Sequence, residues 1–105
     1  MAERNEPSRP LMARAELTER IMRLPVGATL YRVLDIAPDE AAYGAVDVLE
    51  ILSTVRAYNL MLRNGIRTLH ELLGMPYPEF SRIRNNGVPC IFQILEDIQR
   101  AVGRE

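Results

Sequence analysis

The sequence predicts an all-α protein, a small helical bundle with short connections. Apolar residues recur at i, i+3 or i+4, and i+7 in segment after segment. No useful stretch alternates apolar and polar residues as a half-buried strand would. Pro25, Gly27, Pro38, Gly65 and Gly103 fall at the ends of the periodic segments rather than inside them. With 105 residues the chain suits one domain, or two tightly packed helical halves. Its hydrophobic content of 48% is enough for a real core.

Residues 1–10 are polar and hold two prolines, which predicts a disordered arm. Leu11 to Leu24 reads as a helix with Leu17, Ile21 and Leu24 on one face. Thr29 to Ile36 reads as a short helix. Asp39 is placed to cap a longer one over residues 40–52, with Ala42, Ala45, Val46, Leu49 and Leu52 as its stripe. Tyr43 and Ile51 fall off that stripe, which offers a second surface to the chain itself or to a partner such as a second copy.

Ser53 is expected to cap a helix over residues 54–63. Val55, Tyr58, Met61 and Leu62 would face inward, and Arg56, Asn59 and Arg63 would share the outer face. Asn64-Gly65 would end it. Residues 67–73 form the next short helix, with Leu69, Leu72 and Leu73 inward. Pro76 and Pro78 open another turn that buries Phe80 and Ile83. After Asn85-Asn86-Gly87, Pro89 fits a first helical turn. Ile91, Ile94, Leu95, Ile98 and Val102 then form the cleanest apolar stripe, closed by Gly103. Met12, Met22, Met61 and Met75 read as core filler.

The formal net charge is −1, and every basic residue is Arg. Residues 1–52 carry six Arg against nine acids, and residues 53–105 carry seven against five. The first half is therefore acidic and the second mildly basic, which excludes a strongly basic nucleic-acid binder. Arg remains the better residue for bidentate phosphate or guanine contacts. No run of 18 apolar residues predicts a membrane span, and the N-terminus lacks the layout of a secretory signal. The lone Cys90 suits a reducing cytoplasm, where this protein is expected. His70 has no partner at metal-ligand spacing, and no nucleotide loop or nucleophile elbow occurs. Neither a catalytic constellation, a metal site nor a cofactor is expected.

The sharpest functional signal is a glycine turn feeding a helix, because backbone N–H groups at a helix N-terminus can meet a phosphate. Three motifs then carry a resemblance. Leu52-Ser53-Thr54-Val55-Arg56-Ala57-Tyr58-Asn59 is similar, with one extra residue, to the L-S-V-R-x-x-N of the carboxy-terminal domain of the bacterial RNA polymerase α subunit. Gly65-Ile66-Arg67-Thr68-Leu69-His70-Glu71-Leu72-Leu73 resembles that family's G-I-x-T-x-x-(D/E)-L-L. Ile83-Arg84-Asn85-Asn86-Gly87-Val88-Pro89-Cys90 resembles its I-x-N-x-G-x-x-S. The likeness runs over residues 53–98 and leaves 11–52 as a separate N-terminal helical segment, packed with 53–105 into one compact domain.

The resemblance implies a helix-hairpin-helix-like C-terminal unit that grips the minor groove of A/T-rich DNA and contacts transcription factors. It assigns Arg56 to groove insertion, Asn59 to a polar contact beside it, and Gly87 with Val88 to a phosphate seat. Arg63 and Arg84 would flank them as non-specific phosphate contacts. An arginine in a narrow A/T groove gains from the enhanced negative potential there. Val88-Pro89-Cys90 departs from the family, which has basic residues and a serine after the hairpin glycine. DNA binding should therefore be weak. The other reading is a protein-interaction module that docks on polymerase or a factor, or forms a homodimer through residues 40–52; an apolar patch at Leu60, Val88 and Pro89 would favour it. A short internal echo also appears, Gly27 to Leu34 resembling Gly65 to Leu73 with one residue skipped.

Overall fold

The computed structural model describes residues 9–105. The helices are α1 (Arg14–Arg23), α2 (Leu30–Val33), α3 (Glu40–Tyr43), α4 (Val48–Ile51), α5 (Val55–Arg63), α6 (Leu69–Leu73), α7 (Tyr77–Ser81) and α8 (Val88–Ala101). No strand occurs among the described residues, and two isolated antiparallel bridges join Thr29 to Pro76 and Asp47 to Thr68.

The α8 stripe forms the centre of the core. Ile91, Ile94, Leu95 and Ile98 are buried with Ala57 and Met61 of α5, Leu69, Leu72 and Leu73 of α6, and Phe80 of α7. Leu17 of α1, Leu30 and Leu34 around α2, and Val48 of α4 belong to the same cluster. Fully burying side chains of this size is worth about 1.5–3 kcal/mol each, which is what holds such short helices in place.

The continuous helix expected over 40–52 does not form. Leu69 N–H donates to Val46 C=O (2.8 Å) and Val48 N–H donates to Arg67 C=O (2.9 Å). Those backbone groups, which a helix would use internally, are committed to a distant segment. Asp47 instead caps a new helix by accepting from Leu49 N–H (2.7 Å). The expected stripe dissolves with the helix. Ala42, Ala45 and Leu49 are exposed, Tyr43 and Ile51 are half-buried against the core, and Val48, which the stripe omitted, is fully buried. A homodimer surface built on one 40–52 helix is thereby lost.

Three other expectations shift. Thr54, not Ser53, caps α5, its hydroxyl accepting from Ala57 N–H (3.1 Å). Val55 then falls in the first turn facing solvent, 74% exposed, and Leu60 goes into the core, so no surface patch contains it. Met22 is also solvent-exposed rather than core filler. The arm expected over 1–10 falls mostly on residues 1–8, outside the described residues. Arg9 is anchored: Glu105 N–H donates to its carbonyl (3.0 Å), and its guanidinium pairs with Asp35 (3.0 Å).

Three helices end in the same device. After α2, α5 and α8 the residues Asp35, Gly65 and Gly103 take φ of 54°, 75° and 97°. The next N–H in each case reaches back five residues: Ile36 to Tyr31, Ile66 to Met61, Arg104 to Gln99. This is the Schellman ending, which satisfies the last carbonyls of a helix. At α2 the position holds Asp rather than Gly, and three guanidiniums assist. Arg20 donates to the carbonyls of Val33 and Arg32, while Arg9 and Arg104 donate to that of Asp35.

The internal echo has a structural counterpart. Thr29 and Thr68 each stand at the N-cap of a short helix, Thr68 in a full capping box with Glu71. Those helices, α2 and α6, pack on each other. Tyr31 Oη and His70 Nδ1 meet between them at 2.8 Å.

Candidate nucleic-acid interface

Arg56 occupies the second position of α5, where a cation faces the positive end of the helix dipole. That placement costs stability rather than adding it. α1, α3, α4, α6 and α7 each carry a glutamate in the first turn, whereas α2, α5 and α8 carry no acid there. The N-termini of α5 and α8 are thus left without a counter-charge. Arg56 lies close enough to α8 for its charge to act on Cys90: burial pushes that thiol up, and Arg56 pulls the other way.

Asn59 and Arg63 follow on the exposed side of α5. Arg63 lies in the last turn, where a cation is favourable, so it also has a structural role worth about 0.3–1 kcal/mol. Arg84 is exposed in the connection between α7 and α8. None of Arg56, Asn59, Arg63 and Arg84 makes a side-chain hydrogen bond or ion pair with another described residue.

The turn before α8 takes its positive φ from an asparagine and not from Gly87. Gly87 is the N-cap at φ −73°, and Asn85 carries the left-handed conformation at φ 72°. Asn residues tolerate that region. A Cβ at Gly87 would meet only Pro89 Cδ, at 3.8 Å. Neither backbone nor packing demands a glycine there. Asn86 is 6% exposed and ties the turn to α7, Nδ2 donating to Phe80 C=O (2.9 Å), while its Oδ1 is buried without a partner among the described residues. α8 has no side-chain cap, and Pro89 in its first turn has no N–H, so the amides of Gly87, Val88 and Cys90 are left to donate.

Behind the surface, one buried carboxylate joins α8 to the start of α5. Asp97 Oδ2 accepts from Ser53 N–H and Ser53 Oγ–H, both at 2.9 Å, and Oδ1 accepts from Gln93 Nε2 (3.2 Å). Ser53, the expected cap, thus serves instead as a tether, two residues before Val55.

The reading by residue type missed Arg67 and Arg82. Both are exposed, and neither guanidinium has a hydrogen bond or ion pair among the described residues. By contrast, Arg9, Arg20, Arg23, Arg100 and Arg104 are all engaged. Their availability is a tertiary property with no local signal. His70 is taken up by Tyr31 and by Glu40, whose carboxylate lies 3.9 Å from Nε2. Among the described residues no group of three or more His, Cys, Asp or Glu side chains could hold a metal ion. No described helix is long and apolar enough to cross a membrane.

The fold and this surface define a small all-α module whose second half displays unpaired arginines beside two helix N-termini, those of α5 and α8, that carry no acid in the first turn. The protein belongs to the family of the C-terminal domain of the bacterial RNA polymerase alpha subunit, which matches residues 38–100. The matched span begins at α3, well before the motifs at 53–98, and leaves α1 and α2 outside. Among curated proteins, the chain is similar to the DNA-directed RNA polymerase subunit alpha of Parasynechococcus marenigrum (strain WH8102), 28% identical over 72 residues, covering 69% of this chain and 23% of that protein. The same subunit of Prochlorococcus marinus (strain NATL1A) is 29% identical over 63 residues, covering 60% of this chain and 20% of that protein. The chain thus spans about a quarter or less of the length of these relatives. No solved structure matches it at a significant level. The family domain is a non-catalytic interaction module, and the chain is not an enzyme.

Proposed function

We propose that this protein binds DNA weakly, through the outer face of α5 and the turn that starts α8, as a small transcription-associated factor of the cytoplasm. Arg56 enters the minor groove of A/T-rich duplex, and Asn59 makes a short polar contact at its edge. The Gly87 and Val88 amides seat a phosphate at the start of α8, with Gly87 letting the backbone come close. Arg63 and Arg84 add phosphate contacts, and α7, the turn and α8 act together as a helix-hairpin-helix-like unit.

The observation that carries this reading is Arg56 itself: exposed, without a partner among the described residues, and set at a helix end where it opposes the dipole. Few phosphates are neutralised, so log affinity should fall with log salt at a slope of roughly −2 to −4. The test is a titration of A/T-rich and G/C-rich duplexes at two salt concentrations. Equal, salt-insensitive or undetectable binding would count against it.

One observation favours a second reading, a protein-interaction module that docks on polymerase or a transcription factor. Val55 and Val88, 74% and 59% exposed, lie beside Arg56 and Gly87. Exposed apolar side chains flanking a charged centre also suit a protein interface. Failure of the DNA titration would move the search to that partner.

A further inference from the structure

The first turn of α1, outside the residues matched by the family, is set against the first two turns of α8. Arg14 and Leu17 on one side and Pro89, Phe92 and Gln93 on the other line a shallow cleft between the two helices. The Arg14 guanidinium lies 4.7 Å from the centroid of the Phe92 ring. A guanidinium stacked on a ring is held in place while its N–H groups remain free to donate. Arg14 is exposed and has no acidic partner among the described residues. Glu96, which lines the same cleft, gives its carboxylate to Arg100, at 2.9 and 3.2 Å.

Helical geometry relates this arginine to the interface. At about 100° per residue, Phe92 and Cys90 stand about 160° apart around α8, with Pro89 and Gln93 between them. Arg14 reaches the Phe92 side, and the charge of Arg56 reaches the Cys90 side. Two arginines from different helices bracket a strip that carries Pro89 and Gln93, neither of them charged.

We propose that Arg14 is a DNA-phosphate anchor supplied by the N-terminal helix, so that the backbone of the duplex crosses the first turn of α8 between Arg14 and Arg56. This rests on the DNA-binding reading above. It makes α1 part of the binding surface and not only a cover for the core.

The experiment is a fluorescence-anisotropy titration of labelled A/T-rich duplex with the full chain over a salt series. It compares the parent, Arg14→Gln, Arg14→Lys and Phe92→Leu. Arg14→Gln should weaken binding about threefold to tenfold at low salt and lower the magnitude of the salt slope by about one. Arg14→Lys should restore the slope. Phe92→Leu should lose affinity but keep the slope, because the charge remains and only its platform is gone. A parental Kd and slope for Arg14→Gln would overturn this inference and leave the DNA reading standing. No binding by the parent at low salt would overturn both.

Discussion

Replacing Asp97 with alanine removes the buried carboxylate that fastens α8 to the entrance of α5. Its Oδ2 accepts two hydrogen bonds from Ser53, both at 2.9 Å, and its Oδ1 accepts one from Gln93 at 3.2 Å. Hydrogen bonds to a charged group are worth about 1.5–3 kcal/mol each in favourable cases. The sum must be discounted, because Ser53 is exposed and Gln93 only half-buried, so their freed donors find water. A net loss of about 3 kcal/mol remains. For a domain of this size that lowers Tm by roughly 10–20 °C. Ser53→Ala deletes only the Oγ bond and keeps the backbone one, so it should cost about 1 kcal/mol. In a double-mutant cycle the two substitutions should couple by about the same amount. Thermal and urea unfolding followed by far-UV circular dichroism measures all of this. An Asp97→Ala protein that melts within about 3 °C of the parent would show that the Ser53 tether does not hold the α4–α5 junction.

Ile94→Asp puts a carboxylate at a fully buried position in the core stripe and should cost several kcal/mol, read as loss of a cooperative unfolding transition. Arg56→Ala should abolish measurable duplex binding with Tm unchanged or slightly raised, because the side chain lies outside the core and opposes the α5 dipole; a mutant that binds like the parent refutes the groove assignment. Asn86→Leu gives up one hydrogen bond to Phe80 C=O, which also accepts from Ile83 N–H, and removes a buried oxygen without a partner. It should be neutral or stabilising by about 1 kcal/mol, and a drop of similar size in urea unfolding would show that the amide is needed. The backbone N–H groups of Arg67 and then Thr68 hold the Glu71 carboxyl below its ordinary value. A lowered folded-state pKa means stability that is present above the unfolded pKa and lost as pH falls through the folded one. Glu71→Gln should therefore flatten the acid side of the stability profile below about pH 4.3, and an unchanged acid limb would contradict the capping box.

The helices whose signals are local were legible in the sequence. Thr68 and Glu71 are three apart, Asn64-Gly65 closes α5, and the stripe from Ile91 to Ile98 needs only its own periodicity. The local sequence of α3 and α4 predicts one helix because the hydrogen bonds that separate them come from Arg67 and Leu69, some twenty residues away. Thr54 caps α5 in place of Ser53, whose hydroxyl is taken up by Asp97, 44 residues further along the chain. Which residue of Asn85-Asn86-Gly87 takes the positive φ has no local signal; it is Asn85, while Asn86 is buried and bonded to Phe80 C=O. The exposed face of α5 followed from spacing alone. That its arginines have no partner, and that Arg14 stacks on Phe92, depends on which acids the fold places elsewhere.

The pairing of Arg9 with Glu105 brings two points 96 residues apart in sequence side by side, with Leu11 N–H donating to Glu105 C=O at 3.2 Å. A short covalent link between them would leave the native state nearly unchanged and cut the number of arrangements open to the unfolded chain. Closing a loop of about 100 residues is worth up to about 4.7 kcal/mol in the chain-entropy account. The same proximity allows the connectivity to be rewritten. New ends could be opened at Gly27, an exposed turn where even a Cβ meets nothing within 4 Å, while every helix stays in place.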